Sequence, residues 1–349
     1  MRIEKLRLAM NSEDIELFVI QERRNISYFT AIDNISGHLF IHPKGKPEFY
    51  VINKQFQQAL DLKSSSVNLT AGQPDYEDHL FDELVSEGKG LKRVAFDTLD
   101  CMNYRRIVKS LKIEPVFGNS VISSIQRFYD EEEIRLVQKA ASIADACFET
   151  VRETIRPGVT ELEVIGQMQY TLRREGSEWD TFIVFGSGLN TAYCEPRPNN
   201  RVIQHGDIVF IDIGPTYRGY MADISRTFMV GKPNSRQKKI LDSLVEVEFK
   251  ATKLGRLGVK AEDIDAQVRR LVTEKGFSDY LHHTGHSLGG AFQIVPGSQA
   301  TLEEGDVICL EPGIYVPGVG GGRIEDQIFI TKDSQRLMSH ASRDPYINV

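Results

Sequence analysis

Cysteine and tryptophan are scarce in this chain of 349 residues, which contains four cysteines and one tryptophan. The cysteines lie far apart and form no Cys-x-x-Cys pair, so the sequence does not predict a disulfide framework. Isolated thiols in a chain of this size are typical of a protein that keeps its cysteines reduced. This pattern favours a cytoplasmic protein.

Long apolar runs and an excess of positive charge are also missing. No apolar run approaches the ~20 residues that span a bilayer, and the charged opening MRIEKLRLAM lacks the apolar stretch of a secretory signal. The chain has 42 Lys and Arg against 49 Asp and Glu, a net charge of −7, which does not indicate a basic nucleic-acid surface. We therefore expect neither a membrane nor a nucleic-acid partner.

The length favours two domains, because 349 residues exceed what one hydrophobic core usually serves. The first third alternates short apolar strands, such as IELFVIQ and KRVAFDT, with a helical segment, and predicts a small α/β unit. Next, YDEEEIRLVQKAASIADACFETVRETIRPG predicts a long helix with an acidic first turn, and Thr160 with Glu163 predicts the capping box of a second helix. The remainder is rich in strands and glycine. These patterns predict an α+β fold with domains at residues 1–125 and 126–349.

A strand–turn–strand segment, DIVFIDIGPTYRGYMADISRTFMV, places two aspartates in apolar strands. Asp212 and Asp223 are equally distant from the point between Tyr217 and Arg218. A symmetric antiparallel register therefore predicts that the two carboxylates face each other, with Cβ atoms ~5 Å apart. Burying like charges in this way is costly, so a divalent cation is expected to compensate. The alternative is that each aspartate lies at an exposed edge or pairs with Lys or Arg.

A second segment, VICLEPGIYVPGVGGGRIEDQIFIT, repeats the arrangement, because Glu311 and Glu325 are equally far from the centre of its glycine-rich turn. Between the two segments, His286 stands in TGHS, where small neighbours allow a ligand histidine to be presented. Four carboxylates and one imidazole suit two divalent metal ions such as Mn, Co or Zn. The neighbouring His282 and His283 are interpreted as structural or surface histidines.

The order Asp, Asp, His, Glu, Glu and the motifs IDIG, ADISRTF, TGH, EPGIY and RIEDQIFIT resemble the methionine aminopeptidase/aminopeptidase P/prolidase/creatinase family. In the first third, NISYFTAID is similar to the creatinase and prolidase branch. The resemblance implies a small N-terminal α/β creatinase-like domain, a following catalytic domain with the pita-bread fold, and a homodimer. It also implies a dinuclear-metal-dependent hydrolase in which a metal-activated water attacks an amide carbonyl.

The resemblance also implies a role for each ligand. Asp212 would bind one metal ion, His286 and Glu311 would bind the other, and Asp223 and Glu325 would bridge the pair. Glu311 would in addition handle the proton of the attacking water. The implied substrate is a dipeptide or short peptide with proline in its second position.

Two positions depart from the Xaa-Pro peptidases of this family, which usually carry histidines that contact substrate near the scissile bond. Glu195, in NTAYCEPRP, stands in place of one histidine, and Gln293, in GGAFQIVP, stands in place of the other. A carboxylate there favours a cationic substrate group, and glutamine cannot shuttle a proton near neutral pH as histidine can. We treat both residues, with Glu311, as candidate catalytic residues. In the alternative interpretation, Glu195 lies on an exposed loop and Gln293 caps a strand.

Three functions compete on this evidence. The first is the Xaa-Pro hydrolase, and the second is the same metal site acting on a small cationic non-peptide metabolite, as a hydrolase or a lyase. The third is a non-catalytic binding module, against which the intact ligand set argues. Arg323 is interpreted either as a partner of a bridging carboxylate or as a surface arginine, and Trp179 as a core residue.

Overall fold

The computed structural model of the protein describes residues 2–62, 65–72, 79–87, 90–178 and 182–347. It divides into two compact units, Met1–Gln126 and Arg127–Val349. Both units combine helices with sheets, which confirms the predicted α+β class. Trp179, expected in the core, lies outside the described residues. Among the helices that are described, none has the length and apolar character needed to cross a membrane.

The first unit is built around one mixed sheet. Its helices α1–α6 span Arg2–Ser12, Arg23–Thr30, Phe56–Asp61, Leu80–Glu87, Cys101–Arg106 and Asn119–Gln126. Its strands β1–β6 span Leu17–Ile20, Gly37–Ile41, Glu48–Val51, Asn68–Ala71, Arg93–Phe96 and Glu114–Phe117 and lie in the order β4-β3-β2-β1-β5-β6. In β1, Phe18 and Ile20 join one apolar core while Leu17 and Val19 join another. Successive side chains of a strand point to opposite faces, so both faces of this sheet are covered.

The second unit contains two larger sheets, each with its own helix pair. Helices α7–α10 span Glu131–Thr154, Glu161–Arg174, Ser235–Ala251 and Ala261–Glu274. Strands β7–β19 span Phe182–Ser187, Ile208–Gly214, Thr216–Tyr217, Tyr220–Met221, Ile224–Val230, Gly285–Ser287, Gln293–Ile294, Val307–Leu310, Gly313–Val316, Gly320–Arg323, Asp326–Ile330, Gln335–Leu337 and Tyr346–Ile347. One sheet has the order β19-β11-β8-β7 and the other β13-β12-β14-β17-β18, while β9–β10 and β15–β16 form two short ribbons.

Helix starts in the second unit follow the sequence signals. Asp130 caps α7 and accepts hydrogen bonds from the backbone of Glu132 and Glu133. The predicted capping box of α8 is confirmed, because Thr160 and Glu163 exchange side-chain-to-backbone hydrogen bonds. Apolar residues of α7 and α8 pack with β8 and β11 in one core, and those of α9 and α10 pack with β14 and β17 in another.

Candidate metal centre

The first carboxylate hairpin has a different register from the one expected. Strands β8 and β11 are antiparallel, but Asp212 lies opposite Ser225, not opposite Asp223. The prediction that the two aspartates face each other is therefore wrong. Because side chains alternate along a strand, Asp223 and Ser225 share a face, so Asp223 is the diagonal neighbour of Asp212 on that face.

The position of the turn explains this difference. In the ribbon β9–β10, Tyr217 pairs with Tyr220, so the two turn residues are Arg218 and Gly219. Their φ angles are 50° and 80°, and a two-residue hairpin turn of this kind requires positive φ at both positions. The centre of the hairpin thus lies one residue later than assumed, which moves the partner of Asp212 by two residues.

The second carboxylate hairpin has the expected register. Leu310 pairs with Asp326 on one side of the two glutamates, and Gly313 pairs with Arg323 on the other. Both ladders share one register, which puts Glu311 opposite Glu325. A loop of three residues centred on Gly318, with φ of 75°, closes this hairpin.

His286 lies on β12, in the same sheet as the second hairpin. It pairs with Cys309 of β14 on one side and with Gln293 of β13 on the other. The ring atom Nε2 lies 3.5 Å from Asp223 Oδ2 and 3.7 Å from Glu311 Oε1. Its Nδ1 atom contacts the carbonyl oxygen of Ser287 at 3.0 Å, which orients the ring so that Nε2 faces the carboxylates.

The donor atoms of four residues converge tightly. One atom each from Asp223, His286, Cys309 and Glu325 lies within 4.8 Å of the other three. The four carboxylates of the two hairpins are between 1% and 7% exposed. Such a buried concentration of negative charge requires compensation.

One compensating charge comes from Arg323, which is itself 6% exposed and is not a surface arginine. Its Nη2 atom contacts Asp212 Oδ2, and its Nε atom lies 3.5 Å from Glu311 Oε2. It also donates to Ser225 Oγ at 3.3 Å, and that hydroxyl donates to Glu325 Oε2 at 2.7 Å. Arg323 therefore connects ligand candidates from both hairpins.

Two carboxylate oxygens keep unused acceptor capacity. Asp212 Oδ1 and Glu325 Oε1 are buried and have no hydrogen-bond partner among the described residues. A buried unsatisfied carboxylate oxygen is costly, whereas a metal ion would satisfy it. Oxygen donors with one imidazole fit borderline and hard divalent cations, so the residues present fit the metal site that the sequence predicts.

Burial and mutual repulsion raise the pKa values of three of the carboxylates. Burial raises the pKa of Asp223 to about 7, and the charge of Asp212 adds to this effect. Burial likewise raises the pKa of Glu311 to about 7, with the charges of Asp212 and Glu195 contributing, and raises that of Glu325 well above its usual range. For His286, burial acts to lower the pKa, but Asp223 and Glu311 outweigh it and raise the pKa to about 9.

The two candidate substrate-contacting residues are both exposed. Glu195 is exposed and follows Cys194, whose carbonyl oxygen accepts a hydrogen bond from Arg323 Nη1 at 3.0 Å. Gln293 is exposed on β13, directly opposite His286. Directly opposed residues project from the same face of a sheet, so Gln293 shares the face of the ligand candidate His286.

Several residues of the site carried no clear signal in the sequence. His282, interpreted as structural or at the surface, contacts the Tyr315 hydroxyl through Nε2 at 3.1 Å, and burial lowers its pKa to about 4. Tyr315 in turn accepts from Arg323 at 3.2 Å. His283 Nδ1 lies 3.5 Å from Glu311 Oε1. In the sequence these residues lie close to His286 and the EPGIY motif. Closeness along the chain does not show whether two side chains are in contact.

Known proteins resemble the chain over nearly its whole length. The profile of metallopeptidase family M24 matches residues 135–332, and that of the creatinase/prolidase N-terminal domain matches residues 2–124. An uncharacterized peptidase of Staphylococcus aureus strain bovine RF122 is 35% identical, covering 97% of this chain and 99% of the relative. The Xaa-Pro dipeptidase of Pyrococcus horikoshii is 27% identical over 98% of each chain. The solved structure of an Xaa-Pro dipeptidase from Bacillus anthracis gives a TM-score of 0.89 at 29% identity over 99% of each chain.

The fold and the buried carboxylate–histidine cluster define a metal-dependent hydrolase of the pita-bread class, with a creatinase-like N-terminal domain. The chain belongs to metallopeptidase family M24. The family resemblance and the fold expected from the sequence are thereby confirmed, and the chain is an enzyme and not a binding module without activity.

Proposed function

We propose that the protein hydrolyses the amide bond before proline in Xaa-Pro dipeptides or short peptides, using two divalent metal ions. The ligands in this proposal are Asp212, Asp223, His286, Glu311 and Glu325. The observation that supports it best is that four buried carboxylates lie around Arg323 and the half-buried His286, and that two carboxylate oxygens have no partner among the described residues. Two relatives named Xaa-Pro dipeptidase supply the substrate class.

Charge balance supports a pair of ions rather than one. The four carboxylates carry at most four negative charges, and Arg323 neutralises one of them. Two divalent cations and one hydroxide would contribute three positive charges, which matches the remaining three negative charges. A single divalent cation would leave a buried net negative charge, which is unfavourable.

The metal pair would polarise the scissile carbonyl and activate a water molecule near neutral pH. The side chains of the protein would perform the remaining tasks. Glu311 would accept a proton from the attacking water and return it to the leaving amine, the role that the family resemblance implies for it. Arg323 would keep Asp212 oriented and would hold the Cys194 carbonyl, which fixes the chain beside Glu195.

Peptide turnover tests the proposal directly. Protein stripped by a chelator and reloaded with Mn²⁺ or Co²⁺ should cleave at least one member of a panel of Xaa-Pro dipeptides and longer peptides. Matched peptides with alanine in place of proline are the control, and elemental analysis should find two ions per chain. No turnover of any Xaa-Pro peptide by fully loaded protein would remove the substrate proposal.

A small cationic metabolite is the second candidate substrate. The observation favouring it is the exposed carboxylate of Glu195, whose charge contributes to the raised pKa of Glu311 and so acts on the ligand cluster. In this case Glu195→Gln should raise KM for a cationic substrate about tenfold or more, because one rim charge is lost. Turnover of neutral peptides that does not change in this variant would argue that Glu195 plays no part in substrate choice.

A cytoplasmic homodimer belongs to the same proposal. All four cysteines are free thiols, which suits a reducing compartment. Light scattering on the metal-loaded protein should give twice the 39.4 kDa mass of the chain. A mass equal to one chain at working concentration would contradict the dimer.

A further inference from the structure

The ligand set proposed above consists of oxygen and nitrogen donors, but the cluster also contains a sulfur atom. Cys309 is fully buried on β14, opposite His286 on one side and Gln327 on the other. Its thiol lies within 4.8 Å of donor atoms of Asp223, His286 and Glu325. The other three cysteines do not belong to this cluster.

A second observation points to a ligand at the same place. Glu325 is 1% exposed, and its Oε1 atom has no hydrogen-bond partner among the described residues. Ser225 occupies only the other oxygen, Oε2. An acceptor with spare capacity and a thiol therefore share one buried space, which is the environment a cation with affinity for sulfur would occupy.

We propose that Cys309 is a conditional metal ligand, recruited by Zn²⁺ or Cd²⁺ and left unbound by Mn²⁺. With the soft ion, Asp223, His286, Cys309 and Glu325 would complete a four-coordinate site. The S–H bond breaks, the sulfur–metal bond forms, and the proton leaves to solvent. This inference rests on the metal site of the proposed function but not on its peptide substrate.

The distances between the four donor atoms allow a four-coordinate zinc site to form. Ligands of a tetrahedral zinc ion, with bonds of about 2.0–2.3 Å, lie roughly 3.3–3.8 Å from one another. The four donor atoms are already within 4.8 Å, so each needs to move by only about 1 Å or less. Rotations of side chains supply movements of this size without a change in the strands.

The consequence is selection between metals. A site with four protein ligands has no open position, and such sites are structural, whereas catalytic sites keep a position for water or substrate. Mn²⁺ favours oxygen donors and would leave the sulfur free. Zn²⁺ and Cd²⁺ would therefore bind tightly and produce an inactive form of the enzyme.

Cadmium spectroscopy tests the proposal without reference to activity. Chelator-stripped protein titrated with Cd²⁺ should develop a sulfur-to-metal charge-transfer band in the ultraviolet. Cys309→Ser should abolish the band and lower Zn²⁺ affinity by at least about 10–100-fold relative to Mn²⁺ affinity, the loss typical of removing a residue that supports a metal site. Cys194→Ser, which changes a half-buried cysteine beside Arg323, is the matched control and should retain the band. A band that survives in Cys309→Ser overturns the proposal.

X-ray absorption on the wild-type protein keeps the test valid if a variant misfolds. Protein loaded with one equivalent of zinc should show a sulfur neighbour at about 2.3 Å, and a first shell with nitrogen and oxygen only would contradict the inference. The peptide substrate is tested separately, on Mn²⁺-loaded protein. If that protein cleaves no Xaa-Pro peptide while the zinc-loaded protein shows the sulfur neighbour, only the proposed function is refuted.

Discussion

The two carboxylate hairpins look alike in sequence but present their acids differently. In the second, Glu311 and Glu325 are directly opposed across a three-residue loop. In the first, Asp223 is displaced along the strand from Asp212, and Ser225 takes the opposed position. That serine donates to Glu325, so the displacement creates one of the contacts between the two hairpins. The two hairpins therefore join in one site through a difference in register: in the first hairpin a serine takes the position that a second acid holds in the other.

Removing one carboxylate from each hairpin should have the largest effect. We expect Asp223→Asn and Glu325→Gln each to lower kcat/KM by ~10²–10⁴ and to reduce the metal content, because both are proposed bridging ligands. Steady-state kinetics and elemental analysis measure this. Glu304→Gln, an exposed acid next to the strand that leads to Glu311, is the control and should behave as the wild type. Normal metal content in both site variants would contradict the assignment.

Ser225→Ala should have a smaller effect on the metal site, because it removes a contact between the two hairpins and no proposed ligand. It removes the 2.7 Å hydrogen bond to Glu325 and one acceptor of Arg323, while all proposed ligands remain. We expect metal affinity to fall by about 10–100-fold, with kcat recovering at saturating metal. Competitive titration with a metal-binding dye gives the affinity, and the exposed Ser334→Ala serves as control. Unchanged affinity would show that the hairpins act independently.

The pH dependence of stability should distinguish metal-free from metal-loaded protein. Asp223 and Glu311 have pKa values raised from 3.8 and 4.5 to about 7, so the metal-free native state binds more protons than the unfolded state between these limits. Its free energy of unfolding should therefore fall as the pH rises from about 4.5 to 7. His286, with its pKa raised to about 9, adds a loss of the same sign above pH 6.5.

Bound metal keeps these carboxylates ionised and should offset the loss. Thermal unfolding at several pH values, with chelator or with Mn²⁺, measures the difference in Tm, which should widen as the pH rises. A difference in Tm that does not change with pH would mean that the buried carboxylates do not titrate in this range.

Replacing a glycine in the turn of either hairpin should have the smallest effect, a modest loss of stability. Gly219 and Gly318 close the first and second hairpins at φ values of 80° and 75°, and a Cβ atom at either would meet nothing within 4 Å. Backbone strain alone should therefore make each Gly→Ala change cost about 1–2 kcal/mol. Urea unfolding measures this cost, and Gly166→Ala in α8, where the φ angle is not positive, should instead be neutral or stabilising. Equal stability of all three variants would contradict the turn assignment.

The sequence predicted much of the fold because its signals are local. The capping box at Thr160 and Glu163 and the long helix after Asp130 depend on residues three apart or on helical spacing. The register of the second hairpin followed from symmetry about Gly318. In the first hairpin the same symmetry argument failed, because the requirement for positive φ at Arg218 and Gly219 shifted the turn.

The rest of the site depends on contacts between distant segments. Ser225 and Glu325 are 100 residues apart, and Arg323 and Asp212 are 111 apart. A serine inside an apolar strand and an arginine beside a glycine run have many ordinary interpretations. The same is true of Cys309, whose position next to His286 follows only from the pairing of β12 with β14. The spacing of residues within a segment does not show which distant segments pair, so these contacts could not be predicted from the sequence.

The backbone of Glu325 also donates to the Ser225 carbonyl at 3.1 Å, so the two sheets are joined where the ligands meet. An ion bound there would act as a removable cross-link between chain segments far apart in sequence. Ligands that bind only the native state stabilise it in proportion to the logarithm of their concentration. The supply of metal would then govern how long each molecule survives proteolysis in the cell, in addition to how fast it works.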